Sequence, residues 1–205
     1  MPVHVVSGDL TEELAALFRG VGRVAVDTET TGLDWRGDSL KLCQLFAPAL
    51  GPMLIRIAGP APQLRALLED PSVIKVFHFA PFDLRFLEAG LGARTTSVVC
   101  TKAASKLLDP ELPSQAHSLG ALLLRHFGVE LDKGAVRTSD WGSVELTDAQ
   151  TEYAAGDVVS LLRLADVELD LLRGKGLSDE FAAICEYMPV DAHLEVTGIP
   201  NPLTY

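Results

Sequence analysis

The first sustained apolar block of the chain, residues 24–28, lacks helical spacing and reads as a buried strand. An amphipathic stretch over residues 10–19 predicts a helix before it. A polar loop over residues 30–38, with Gly32 and Gly37, leads into two further strand-like runs at residues 40–46 and 53–57. A proline- and glycine-containing turn at residues 48–52 separates those runs, so the three strands predict an antiparallel meander. The period then changes. A helix at residues 62–69, a strand at 73–77, a helix at 81–89 and a short strand at 97–100 follow in turn. Strands alternating with helices imply parallel strands joined by crossover helices.

From Thr101 onward the spacing is helical: residues 102–107, 119–127, and a long stretch from 148 to about 173. Ser118 and Thr147 are candidate N-caps, and Thr147 to Gln150 has the form of a capping box. Gly174 and Gly176 close the long helix, a last helix covers residues 178–187, and a tail with two prolines is extended over 198–205. The expected fold is α/β, a mixed five-stranded sheet flanked by helices. It forms a single domain over residues 1–205, with its core at about 5–175 and a C-terminal helix and tail at 176–205.

A chain of 205 residues with 48% hydrophobic composition suits one substantial core. No basic segment followed by an apolar block opens the chain, and no apolar run reaches membrane-spanning length, which predicts a soluble cytoplasmic protein with no membrane partner. Cys43, Cys100 and Cys185 are odd in number and widely spaced, against both a disulfide framework and a zinc site. A net charge of −11 with 17 Lys and Arg disfavours a long grip on nucleic acid, where affinity comes from neutralising many phosphates.

The chemistry is concentrated in a few places. Asp27 and Glu29 stand two apart at a strand end and point to one face. Asp83 begins a helix, and Tyr153 and Asp157, four apart on a helix, share a face. Hard divalent cations take oxygen ligands, so Asp27, Glu29, Asp83 and Asp157 are candidate metal ligands. Each has an ordinary reading too: strand-end solvation for the first pair, helix-dipole stabilisation for Asp83, and a solvated helix face for Asp157. Their joint order and spacing is what those readings leave unexplained.

The Asp-x-Glu strand, the helix-initial Asp83 and the Tyr-x-x-x-Asp helix resemble the DEDD exonucleases of the tyrosine branch, in the ribonuclease D superfamily. Asp27 to Leu33, Lys75 to Asp83 and Ser139-Asp140-Trp141 look most like its short stand-alone nano-RNase C group. The resemblance implies a ribonuclease H-like fold and removal of nucleotides from the 3′ end with two Mg²⁺ or Mn²⁺ ions. It implies Asp27 bridging the ions, Glu29 and Asp157 completing the one that activates water, Asp83 supporting the other, and Tyr153 orienting the water. It also implies very short RNA, down to dinucleotides, as substrate and an octameric, ring-like homo-oligomer. Thr28, Leu33, His78, Phe82 and Trp141 become candidate substrate contacts, with Leu33 wedging between two bases. Core roles are the alternatives for Leu33 and Trp141; His117 and Lys102 read as structural, and Trp35 as a pocket rim or subunit contact. Rival functions are ribonuclease D-like trimming of longer RNA, exonuclease action on DNA, and a catalytically silent nucleic-acid-binding domain.

Overall fold

A computed structural model describes residues 2–131, 139–141, 143 and 146–203. Its centre is strand β2, Arg23–Thr30, which is apolar on both faces. Val24 and Val26 enter one cluster with Phe18, Leu64, Leu67 and Leu87, whereas Ala25 enters another with Leu122, Leu123, Leu161 and Leu164. Two-sided burial is why this strand is a near-continuous hydrophobic run rather than an alternating one.

The chain order is β1 (His4–Ser7), α1 (Glu12–Gly20), β2, β3 (Leu40–Ala47), β4 (Gly51–Arg56), α2 (Pro62–Glu69), β5 (Ile74–Phe77), α3 (Ala80–Leu91), β6 (Val98–Cys100), α4 (Thr101–Leu108), a short 3₁₀ turn (Ser114–His117), α5 (Leu119–Phe127), α6 (Asp148–Val159), α7 (Leu161–Lys175) and α8 (Ser178–Val196). The sheet order is β1-β4-β3-β2-β5-β6. β2, β3 and β4 form the antiparallel meander, while β5 and β6 add in parallel on the other side of β2. This is the expected mixed α/β sheet of the ribonuclease H-like type. No helix among the described residues is long and apolar enough to cross a membrane.

Three expectations need correction. The sheet has six strands, not five. The missed β1 is a four-residue edge strand, mostly exposed and paired only to β4, so it carries neither an apolar run nor alternation. The stretch from residue 148 is two helices, because the chain breaks at Ser160. The last helix runs past residue 187 to Val196 with Pro189 inside it. An interior proline removes one helical hydrogen bond, but Met188 and Ala192 beyond the expected end are buried against the core. Arg85 of α3 also pairs with Asp191 and Glu195 across that interface. Tertiary contact holds the helix through the proline.

Glu168 of α7 is fully buried, and neither carboxylate oxygen has a hydrogen-bond partner among the described residues. Burial pushes its pKa up to about 9, opposed weakly by the Arg125 charge. The folded state therefore keeps a proton that the unfolded chain releases above its ordinary carboxylate pKa, so stability falls as pH rises from that value to about 9. Glu168→Met removes this slope, at most about 1.4 kcal/mol per pH unit. Thermal unfolding should show the variant gaining on the wild type between about pH 5 and pH 8. An equal difference at both values would mean that Glu168 is ionised in the fold.

Candidate active site

The parallel strands β2 and β5 end at the same edge of the sheet, where helices begin, which is the usual place for ligand sites in open α/β sheets. At that edge β2 turns polar: Asp27 and Glu29 follow the alternation of Ala25 towards α6, and Thr28 follows Val26 towards α3. α6 is started by Thr147 through a complete capping box with Gln150, and the Gln150 amide donates onward to Ser139 and the Asp140 carbonyl. The helix thus presents Tyr153 and Asp157, one turn apart, to the strand end.

Asp27, Glu29 and Asp157 each offer a carboxylate oxygen, all lying within 4.8 Å of one another. Asp83 approaches from the other side, on the first turn of α3, where the helix dipole favours a carboxylate. It is almost fully buried and accepts a 2.7 Å hydrogen bond from the Thr28 hydroxyl. Tyr153 hydrogen-bonds Asp157 and packs its ring 6.1 Å from that of Trp141. The four acids and Tyr153 line one cavity of about 300 Å³.

Desolvation, then the charges of Asp83, Asp157 and Glu29, push the Asp27 carboxyl well above its usual range. Desolvation with Asp157 and Asp83 pushes Glu29 up to about 8. Burial lifts Asp83 to about 7 against the Thr28 hydrogen bond. Desolvation, Asp157 and Glu29 also raise the Tyr153 hydroxyl above its ordinary value. Clustered acids this reluctant to ionise favour added positive charge, and a set of hard oxygen donors matches Mg²⁺ or Mn²⁺. The residues present fit such ions.

The remaining candidates divide. His78 lines the cavity, its Nδ1 2.9 Å from the Thr101 hydroxyl, and Phe82 lines it while packing on Phe86 at 4.9 Å. Thr28 lines the cavity too, with its hydroxyl donating to Asp83. Trp141 is buried behind Tyr153, in a cluster with Leu42, Leu54 and Ala154, and does not line the cavity. Leu33 also lies outside the cavity wall, on the next loop, with 85% of its surface exposed. Trp35 is not part of the cavity wall; its indole N–H donates to Glu195 of α8.

The sequence reading passed over three residues here. Lys102, read as structural, forms part of the cavity wall with its ammonium 4.3 Å above the ring centre of half-exposed Phe79. Both follow the carboxyl ends of parallel strands, a placement that only the topology reveals. Gln44 is buried opposite Asp27, and its amide nitrogen lies 3.4 Å from the Asp27 carboxylate. A lone glutamine inside an apolar strand was the signal for it.

Residues 3–167 match a 3′-5′ exonuclease family model. The chain belongs to that 3′-5′ exonuclease family, within the DEDD-type ribonuclease D superfamily. Ribonuclease D of Cronobacter turicensis is 28% identical over 84% of this chain and 46% of its own length, so the chain spans less than half of that relative. Brucella melitensis NrnC with bound Mg²⁺ superposes with a TM-score of 0.88 at 32% identity, covering all of both chains. The same nuclease bound to pGG superposes at 0.89 and 32%, over 100% of this chain and 99% of that one.

Glu29 and Asp83 hold protons in the fold that the unfolded chain releases between the ordinary carboxylate range and about pH 8 and 7, so metal-free stability falls as pH rises through that window. A bound cation replaces those protons, and its stabilisation grows as they leave. Thermal unfolding with chelator and with MgCl₂ should therefore show a larger Mg²⁺-induced shift near pH 8 than near pH 5.5. Equal shifts would remove the four acids as the Mg²⁺ site.

Proposed function

We propose that the protein is a metal-dependent 3′-5′ exoribonuclease that acts on very short RNA, down to dinucleotides. The observation that carries this reading is the meeting of Asp27, Glu29 and Asp157 within 4.8 Å beside Tyr153, in one cavity with Asp83. Two bound divalent ions would supply the charge that activates water and stabilises the departing 3′ oxygen. Asp27, Glu29, Asp83 and Asp157 would hold them.

Tyr153 supplies a hydroxyl and not a base. Its proton is held more tightly than in free tyrosine, and its hydrogen bond to Asp157 fixes where the hydroxyl points. That group orients the attacking water, whose proton must leave as the phosphodiester bond breaks and the 3′ oxygen departs. Phe79, Phe82 and His78 offer faces and edges on which any base can stack. Lys102 offers the wall a cation for a phosphate.

Short substrates fit the charge balance, since a dinucleotide needs few phosphate contacts and a chain at −11 has little basic surface to spare. The end-to-end likeness to a nuclease solved with pGG supports the same length class. Leu33, held out on a loop beside the site, is suited to wedge between bases.

Tyr153→Phe keeps the packing on Trp141 and deletes only the hydroxyl. Turnover on a 5′-labelled dinucleotide should fall roughly two to four orders of magnitude with binding little changed. An unaltered rate would make the hydroxyl a bystander. In a time course on labelled RNAs from two to about twenty nucleotides, the wild type should consume dinucleotides preferentially, because few phosphate contacts suffice for them. Accumulating dinucleotides would instead indicate ribonuclease D-like trimming.

Leu33→Ala tests the length reading. An apolar contact to a base is worth less than the full burial of a leucine, so dinucleotide affinity should weaken about ten-fold, near 1.4 kcal/mol. The melting temperature should hardly move, because the side chain is 85% exposed. Unchanged affinity would leave length preference to other residues.

A further inference from the structure

Gln44 faces Asp27 directly across the β2–β3 ladder and is fully buried. Its neighbours along β3 are Leu42, Cys43, Leu45 and Phe46, all buried, so the position belongs to the core by every measure but its chemistry. One half of the amide is used: Nε2 lies 3.4 Å from Asp27 Oδ2. The other half is not, since Oε1 is buried with no hydrogen-bond partner among the described residues. A buried acceptor without a donor is destabilising, and methionine or leucine would fill the same space without one. Fold stability therefore gives no reason for an amide here.

The reason lies across the ladder. Asp27 is crowded by Glu29, Asp83 and Asp157, and besides Gln44 it receives a hydrogen bond from the Thr28 backbone. Without a donor behind it, that carboxylate is free to rotate away from its like-charged neighbours. Carboxylates that hold metal ions are commonly fixed by just such an outer hydrogen bond. We infer that Gln44 is a positioning residue for the metal site: its amide fixes Oδ2 of Asp27 from the core side and so holds the carboxylate in place beside Glu29 and Asp157. The inference rests on the metal-holding reading of the four acids. It assigns a specific task to the one polar side chain of β3 that points into this part of the core.

The test uses Gln44→Met, with Gln44→Leu as a second apolar variant. Mg²⁺ and Mn²⁺ affinities are measured by calorimetric titration, thermal unfolding is followed in chelator, and dinucleotide hydrolysis is followed across a MgCl₂ series. Both variants should melt at or above the wild-type temperature without metal, because the stranded acceptor is gone. Their affinity for Mg²⁺ should fall about ten- to a hundred-fold, the usual scale for losing an outer-shell partner. kcat should drop at limiting MgCl₂ and recover as MgCl₂ is raised, with KM for the dinucleotide unchanged. Wild-type metal affinity in a variant would overturn the inference, as would loss of folding in both variants, which would make the amide structural. If the wild type itself takes up neither ion, the metal reading fails and this inference falls with it. If the wild type binds and the variants match it, only the role of Gln44 is lost.

Discussion

Mutual repulsion among Asp27, Glu29, Asp83 and Asp157 is the constraint around which the rest of the molecule is arranged. Burial, and after it the neighbouring carboxylates, push Asp27 and Glu29 towards the protonated state, and burial does the same to Asp83; a chain free to relax would separate them. Three devices prevent it. β2 is clamped between two apolar clusters, so Asp27 and Glu29 cannot leave the strand end. Asp83 is held by the α3 dipole and the Thr28 hydroxyl. Asp157 sits on a helix whose start is fixed by a full capping box. Each acid comes from an element anchored independently, so stability elsewhere in the fold offsets strain concentrated here.

What the sequence made legible follows from where local chemistry decides. The meander, the crossover helices and the helix starts at Pro62, Leu119 and Asp148 were written in runs, prolines and caps, and they stand. The four candidate acids were legible because their spacing put acids on shared faces, and the structure brings all of them to one cavity with Tyr153. The rest depended on partners distant in sequence. β1 exists only because β4 offers an edge, and α8 survives Pro189 because α3 grips its far half. Trp141 beside a motif gave no hint whether it faced substrate or core; in the fold it is buried beside the Tyr153 ring.

Charge distribution gives the site a second character. The acids occupy the floor of the cavity, while Lys102 and the aromatic rings occupy its wall. A ligand that enters must satisfy a cation-hungry floor and an anion-accepting wall together. A phosphate with bound cations beneath it and bases beside it meets both demands. A plain carboxylate or a free nucleoside meets only one.

Glu195, near the end of α8, accepts hydrogen bonds from the Trp35 indole, the Arg36 guanidinium and Arg85. The first two belong to the loop that carries Leu33, and Arg85 belongs to the helix that carries Asp83. One surface carboxylate thus yokes the loop that carries Leu33 to the helix that carries one of the cavity's four acids. In evolutionary terms the two cannot drift independently. A lineage that reshaped the Leu33 loop would need a compensating change in α3 or α8, and those distant helices are where such adaptation should leave its mark.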